Sequence, residues 1–424
     1  MSALTQALLL QAQRYAQAGD ARAGKAFALV LENDAFNLEA RTFLAREALA
    51  NGQAETALEH LTVAVHVAPN KAALWRSLGL AQMACQHLPE AEASLTRCLQ
   101  LNPALHVARL HLGKAQEQQG RRDAATRTYL QALSAAQRAG HWLDQASTPP
   151  WLQDDVAHAA AVADAGRREI FDTLMQPLFA RFGKTALRRV ELAVQGMLGL
   201  QTVRSQEPRQ QPTFLYFPDL PSTPVFDPAL FPWFSELEAR FGQIQGEAEQ
   251  LLHEGLGKMP FLALGSEDRA DDYLGGEQPA WDACFFYRHG QRFDANHAAY
   301  PQTSKALEAL PLVRIEQHAP EICFSILAPG THILPHYGTS NIRSVVHLPL
   351  IVPEQCALKV LDTEIAGLAG RCFAFDDTFL HEAWNRSTQA RVILLMDAWN
   401  PHLHDVEKTA LAEIVASTGH WNQA

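Results

Sequence analysis

A chain of 424 residues exceeds one ordinary domain, and 47% hydrophobic with 19% charged residues describes a globular protein with a sizeable core, not a disordered one. A formal net charge of −11 with no long Lys/Arg run excludes nucleic acid as the expected partner, because phosphate binding needs clustered cations. No stretch approaches a membrane span, the N-terminus lacks the features of a signal peptide, and the six cysteines form no C-x-x-C pair, so reduced thiols in a cytoplasmic protein with no membrane partner are expected.

Residues 1–140 carry an internal repeat of period 34. Ala23, Ala57, Ala91 and Ala125 recur at that interval, each followed four residues later by Phe27, Leu61, Leu95 or Tyr129. Leu44, Leu78 and Leu112 form another column, Gly79 and Gly113 stand beside its last two members, and Pro69 and Pro103 share the spacing. Small residues where paired helices touch, a large apolar residue one turn on, and a closing proline resemble the tetratricopeptide repeat. Such a solenoid leaves a concave face for a peptide or protein partner.

Residues 141–205 keep a helical pattern and read as a connector: one long helix through Arg167, Phe171, Leu174 and Leu178, then a second over 185–200. The polar, proline-bearing stretch 205–212 marks a boundary. Within 206–424 a helix is expected near 232–255, followed by short strands over 321–327, 343–352, 357–361, 371–375 and 391–399, a pattern that suggests a closed or sandwiched antiparallel unit. The expected fold is thus α+β and multidomain: repeats over 1–140, a connector over 141–205 and a β domain over 206–424.

Two histidines in that β domain stand out. His336, in Pro335-His336-Tyr337-Gly338, is expected in a loop after a strand end, since Pro335 forbids a helical pair with His332. His381 follows the acidic turn Asp376-Asp377-Thr378. Two neutral imidazoles with open positions suit Fe(II), although the usual carboxylate two residues after the first histidine is replaced by Gly338. Read from the residues alone, the pair is equally consistent with histidines satisfied in the core. Arg391 opens the apolar run Val392-Ile393-Leu394-Leu395-Met396, so its guanidinium is expected in an apolar cavity, where it calls for a carboxylate. Asp376 and Asp377 read as turn residues or as residues orienting His381, His332 as structural, and Trp384 and Trp399 as core.

The segments 324–338, 341–348 and 375–385, with Tyr216-Phe217-Pro218-Asp219-Leu220-Pro221 before them, together resemble the aspartyl/asparaginyl β-hydroxylase family over roughly 212–403. The resemblance implies a double-stranded β-helix and a dioxygenase using Fe(II), 2-oxoglutarate and O2, with a glycine where related enzymes carry the acid. It implies His336 and His381 as iron ligands, Arg391 and Ser325 on the distal carboxylate of 2-oxoglutarate, His347 on the co-substrate near the metal, and Arg343 as a substrate-carboxylate anchor. One departure stands out: the second arginine of the family's Arg-x-Arg-x-His pattern is Val345 here. The function implied is hydroxylation of an aspartyl/asparaginyl-type residue in a peptide or protein recruited by the repeats. The alternatives are a hydroxylase of a free or carrier-bound amino acid and a catalytically silent scaffold.

Overall fold

The computed structural model describes residues 2–262 and 273–422, with side chains described through Thr418. It divides into two compact units, Met1–Glu169 and Ile170–Ala424. The division falls inside the 141–205 stretch read as a connector, within one continuous helix.

In the first unit α1 (Ala3–Gln17) pairs with α2 (Ala23–Asn33), α3 (Leu38–Ala50) with α4 (Ala54–Val67), α5 (Ala72–Ala84) with α6 (Leu88–Leu101), and α7 (His106–Gln118) with α8 (Arg122–Arg138). The alanine column is buried in every hairpin, and so is the large residue four positions on. A Cβ on Gly79 would lie 2.7 Å from Leu95, and one on Gly113 would lie 2.6 Å from Tyr129, so glycine at these positions lets each hairpin close on its large residue. A further column is not read from the sequence. Arg41 donates to the carbonyl of Ala35, Trp75 to that of Pro69 and Arg109 to that of Pro103, always six residues back, which ties each inter-repeat turn to the helix it starts. Leu152, Val156, Ala159 and Ala163, at and just after the start of α9 (Gln153–Phe182), complete the core of the last hairpin.

His111 on α7 is 8% exposed, its Nδ1 lacks a partner, and burial holds its pKa down at about 4. The folded pKa lies below the ordinary value of 6.5, so below pH 6.5 the unfolded chain takes up a proton that the folded chain refuses, and stability falls as pH drops. By pH 5 the loss is about 2 kcal/mol. Urea titrations followed at pH 7 and pH 5 are expected to show this loss in the helical unit, and His111→Leu is expected to shrink the difference by about that amount.

The second unit holds the rest of α9, α10 (Arg188–Met197), α11 (Phe234–Glu238), α12 (Phe241–Glu254), α13 (Asp294–Ala299), α14 (Pro301–Glu308) and α15 (Asp405–Asn422) around two antiparallel sheets. The single helix expected over 232–255 is therefore two, broken at Ala239 and Arg240. The strands are β1 (Met259–Pro260), β2 (Leu274–Gly275), β3 (Trp281–Arg288), β4 (Gln291–Arg292), β5 (Ile322–Leu327), β6 (His332–His336), β7 (Arg343–Ile351), β8 (Cys356–Val360), β9 (Thr363–Ile365), β10 (Phe373–Phe375), β11 (His381–Asn385) and β12 (Arg391–Trp399). Among the described residues the larger sheet runs β1-β3-β5-β12-β7-β10, with β4 on β3, and the smaller runs β2-β6-β11-β8-β9.

The two sheets face each other across a core that includes Leu327, Val345 and Phe375 from one and Ile333, Leu358 and Ala383 from the other. This is the double-stranded β-helix the sequence implies. The outer face of the larger sheet, Phe324, Val346, Leu348, Leu394 and Met396 among others, is covered by α12 and α14. Alternation along β12 therefore sends Val392, Leu394 and Met396 into that helical layer and Arg391, Ile393, Leu395 and Asp397 into the barrel. Glu247 on α12 accepts from the backbone N–H groups of Gln302 and Thr303, a buried carboxylate capping the N-terminus of α14. Among the described residues no helix is long and apolar enough to cross a membrane.

Candidate active site

His336 lies at the end of β6 and His381 at the start of β11, directly opposite one another in register. The expectation of a loop at His336 is corrected: His332–His336 is a strand. Pro335 is tolerated because the register slips between His381 and Ala383, so that Leu334 and Pro335 face the single residue Glu382 and the missing N–H breaks no ladder bond. The bulge brings the two rings together, with centroids 4.1 Å apart.

Each ring is oriented by its own backbone. Nδ1 of His336 lies 2.8 Å from the carbonyl of Leu334, and Nδ1 of His381 lies 3.0 Å from that of Phe379. A carbonyl can only accept, so both Nδ1 atoms carry a proton, the arrangement that in a neutral ring leaves the Nε2 lone pair available. Burial, then the neighbouring His336, hold His381 down at about 3, which keeps it neutral, the form a metal requires.

Gly338 has no side chain to offer, and the space a Cβ would take is filled by the carboxylate of Asp377. Asp377 sits in the turn that precedes His381. Its Oδ2 accepts from Arg343 at 2.7 Å, its backbone carbonyl accepts from the N–H of Gly338, and its buried Oδ1 has no partner. Burial raises its pKa against the opposing pull of Arg343 and His336. Asp376 accepts from the N–H and hydroxyl of Thr378 and from Gln210, within the turn that precedes His381. Among the described residues no cluster of three or more His, Cys, Asp or Glu side chains is arranged as a metal site, so the imidazole pair stands without a third protein ligand of that kind.

Arg391, Ser325 and His347 line the same cavity of about 580 Å³ as the two histidines. Arg391 is buried, its Nε makes no hydrogen bond, and burial holds its pKa down at about 10. Among the described residues no carboxylate pairs with it, and a buried guanidinium without a counter-charge is costly, so this part of the cavity favours an anion. Ser325 Oγ accepts from Trp281 Nε1 at 2.8 Å, which leaves the serine proton free to donate into the cavity. Trp281, stacked on Phe261, escapes a reading of the sequence because nothing local ties it to a serine 44 residues away. His347 is buried edge-on against Phe373 and Phe375 with neither ring nitrogen partnered, and burial, then Arg391 and His381, hold it neutral.

Arg343, expected as an anchor for a substrate carboxylate, is in the cavity wall and already has carboxylate partners within the chain. It bridges Asp377 and the buried Asp397, and those carboxylates raise its pKa against the effect of burial. Its charge is already spent.

The polar stretch 205–212, expected as a boundary, is strapped onto the site. Gln211 N–H donates to the carbonyl of Thr378, Thr213 and Phe214 N–H to those of Gly338 and Thr339, and Asn341 brackets Phe217 by accepting its N–H and donating to its carbonyl. These contacts fix the loops that follow His336 and precede His381. His332 pairs with Glu382, away from the imidazole pair, and Trp384 is core, as expected. Trp399 packs at the edge of the α10–α15 cluster.

Residues 238–401 match the family model described as Aspartyl/Asparaginyl beta-hydroxylase. The chain is 32% identical over 216 residues to aspartate beta-hydroxylase domain-containing protein 2 of Mus musculus, covering 50% of this chain and 61% of that one. It is 30% identical over 190 residues to the ornithine lipid ester-linked acyl 2-hydroxylase of Rhizobium tropici, covering 44% and 64%. Against the human form of the first relative it covers 55%, so the chain spans less than two thirds of the length of these relatives. Among solved structures, a MamA fragment from Desulfovibrio magneticus RS-1 is 23% identical at a TM-score of 0.30, covering 32% of this chain and 76% of that one.

Proposed function

We propose that the chain, whose residues 238–401 match the aspartyl/asparaginyl β-hydroxylase family model, is an Fe(II)- and 2-oxoglutarate-dependent dioxygenase. The observation that carries the proposal is the coincidence, in one cavity, of two imidazoles whose Nδ1 atoms are held by backbone carbonyls and a buried arginine with no counter-charge among the described residues. The residues fit the absent groups: His336 and His381 would hold iron, and Arg391 with Ser325 would hold the distal carboxylate of 2-oxoglutarate. When bound, ferrous iron with 2-oxoglutarate and O2 supplies hydroxylation, one oxygen atom entering a substrate C–H bond and the other entering succinate as CO2 is lost.

What the protein contributes is placement. Backbone carbonyls fix both imidazole tautomers, Asp377 sets a negative charge beside the pair where residue 338 gives none, and His347 with Phe373 and Phe375 keeps one wall dry. The repeats of the first unit are proposed to recruit the peptide or protein that carries or presents the substrate, and the six free cysteines support a reducing, cytoplasmic setting. A hydroxylase acting on a small or carrier-bound molecule is the second reading. It is favoured by Val345 and by the name of the Rhizobium relative.

The test is metal binding by the two imidazoles. Calorimetric titration of the full chain with Mn(II) and 2-oxoglutarate is expected to give one site, and His336→Ala and His381→Ala are each expected to weaken Mn(II) binding at least about 100-fold while leaving the fold intact. Unchanged binding in both variants would place the metal elsewhere and end the proposal.

A further inference from the structure

We infer that the facing ends of α7 and α8, in the helical-repeat unit, form an anion site that takes a phosphate monoester carried on a peptide.

The two helices form an antiparallel hairpin, so the first turn of α7 lies beside the last turn of α8. Each end carries two basic residues three positions apart: His106 and Arg109 on α7, Arg138 and His141 at and just past the end of α8. The rings of His106 and His141 are 5.2 Å apart, and Trp142 stands edge-on to His106 at 4.8 Å. Backbone contacts hold both sides. Gly140 takes a φ of 77°, and the N–H groups of Gly140 and His141 donate to the carbonyls of Gln137 and Ala136, a turn that closes α8 and sets His141 in place. Arg109 donates to the carbonyl of Pro103 at 3.1 Å, which anchors its guanidinium and leaves its other N–H groups for a ligand.

No acid answers these four groups. Among the described residues none of them forms an ion pair, whereas Arg22, Lys114, Arg121 and His158 in the same unit each have a carboxylate. Asp144, three residues beyond His141, gives its carboxylate to the N–H and hydroxyl of Ser147. Arg138 also complements the carbonyl end of α8, which explains one cation and not the gathering of four. Burial, then His141 and Arg109, hold the pKa of His106 below its ordinary value, and burial, then Arg138, do the same for Arg109. Like charges drawn together in this way are relieved by an anion, and the two guanidinium groups repel a divalent metal from the imidazole pair.

Two guanidinium forks and two imidazoles offer more donors than the two oxygens of a carboxylate can use, whereas a phosphate monoester brings three acceptor oxygens and a charge of about −2. A chain of formal net charge −11 is repelled as a whole by anionic bilayers and nucleic acid, so the phosphate is expected on a small carrier. The choice of a peptide rests on the recruiting role proposed for the repeats; the anion site itself does not.

The experiment is calorimetric titration of the full chain with inorganic phosphate and with the tripeptide N-acetyl-Gly-Xaa-Gly amide, Xaa being phosphoserine, aspartate or serine. The phosphoserine peptide is expected to bind at least about tenfold more tightly than the aspartyl peptide and than inorganic phosphate, and the seryl peptide not to bind. Arg109→Gln and Arg138→Gln are each expected to weaken the phosphoserine peptide at least about tenfold, and Lys114→Gln, at a paired cation on the same helix, to leave it unchanged. Arg138 is exposed, so its variant reads the site even if Arg109→Gln disturbs the turn. In protein carrying 13C-labelled histidine, the ring signals of His106 and His141, assigned through His106→Gln and His141→Gln, are expected to move with the phosphoserine peptide. Signals that stay put, or equal affinity for the aspartyl and phosphoserine peptides, overturn the site. Inorganic phosphate moving both signals with no gain from the peptide overturns the peptide carrier and leaves the recruiting role without this anchor. Tighter binding to phosphatidate vesicles than to the phosphoserine peptide overturns it in favour of a membrane surface.

Discussion

Arg391→Leu is expected to make the protein more stable when empty and unable to retain 2-oxoglutarate. The wild-type guanidinium is buried with its Nε unpartnered and its pKa pulled down to about 10. Replacing an uncompensated buried charge by a hydrophobic residue of similar volume removes a desolvation cost, on the order of 1–3 kcal/mol. The carboxylate it would receive loses its partner, and a buried hydrogen-bonded charge pair is worth about 2–5 kcal/mol on truncation, so the 2-oxoglutarate KM for succinate formation is expected to rise at least about 30-fold. Thermal melts with and without 2-oxoglutarate read both halves: the variant melts higher alone, and added co-substrate no longer raises its Tm. An Arg391 that only braced the barrel would give the opposite, a lower Tm alone and an unchanged response to 2-oxoglutarate.

The second large effect is expected at Gly338. Supplying the acid found at this position in two-histidine, one-carboxylate sites is expected to harm this one. A side chain at 338 would overlap the carboxylate of Asp377, which is buried and held by Arg343 at 2.7 Å. Gly338→Asp therefore forces two carboxylates into the space of one and pulls Asp377 from its cation. Destabilisation of about 3–5 kcal/mol and an at least tenfold loss of Mn(II) affinity follow. Gly338→Asp combined with Asp377→Gly restores one carboxylate in one space, and most of the lost stability is expected to return. Urea unfolding and Mn(II) titration of the two variants decide it. Tighter metal binding in the single variant would mean that residue 338 faces an open coordination position, not a filled one.

The sequence made the larger sheet legible and the smaller one only in part. The strands over 343–351 and 391–399 are continuous apolar runs flanked by arginine, buried on both faces, and they fold almost as read. β6 resists reading because Pro335 looks like a terminator until the bulge opposite Glu382 is known, and that bulge is a property of the pairing, not of the segment. Arg391 in an apolar setting was legible because an isolated charge heading a hydrophobic run has nowhere polar to go. The fate of Arg343 was not. Its partners Asp377 and Asp397 lie 34 and 54 residues away, and only the closed barrel brings both to one guanidinium. The repeats were legible through their alanine and glycine columns, whereas the Arg41, Trp75 and Arg109 column escaped because its residues share a bond and not a chemical type.

The strap over 210–217 has a practical outcome for anyone working with part of this chain. It lies upstream of the matched region 238–401, yet Gln211, Thr213, Phe214 and Phe217 supply the backbone partners of the two histidine loops. Arg189 on α10 likewise pairs with the buried Glu407 on α15, beyond the other edge of that region. A fragment trimmed to 238–401 would keep both histidines and the carbonyls that orient their rings but lose the strap that holds their loops, so its inactivity would say nothing about the full chain.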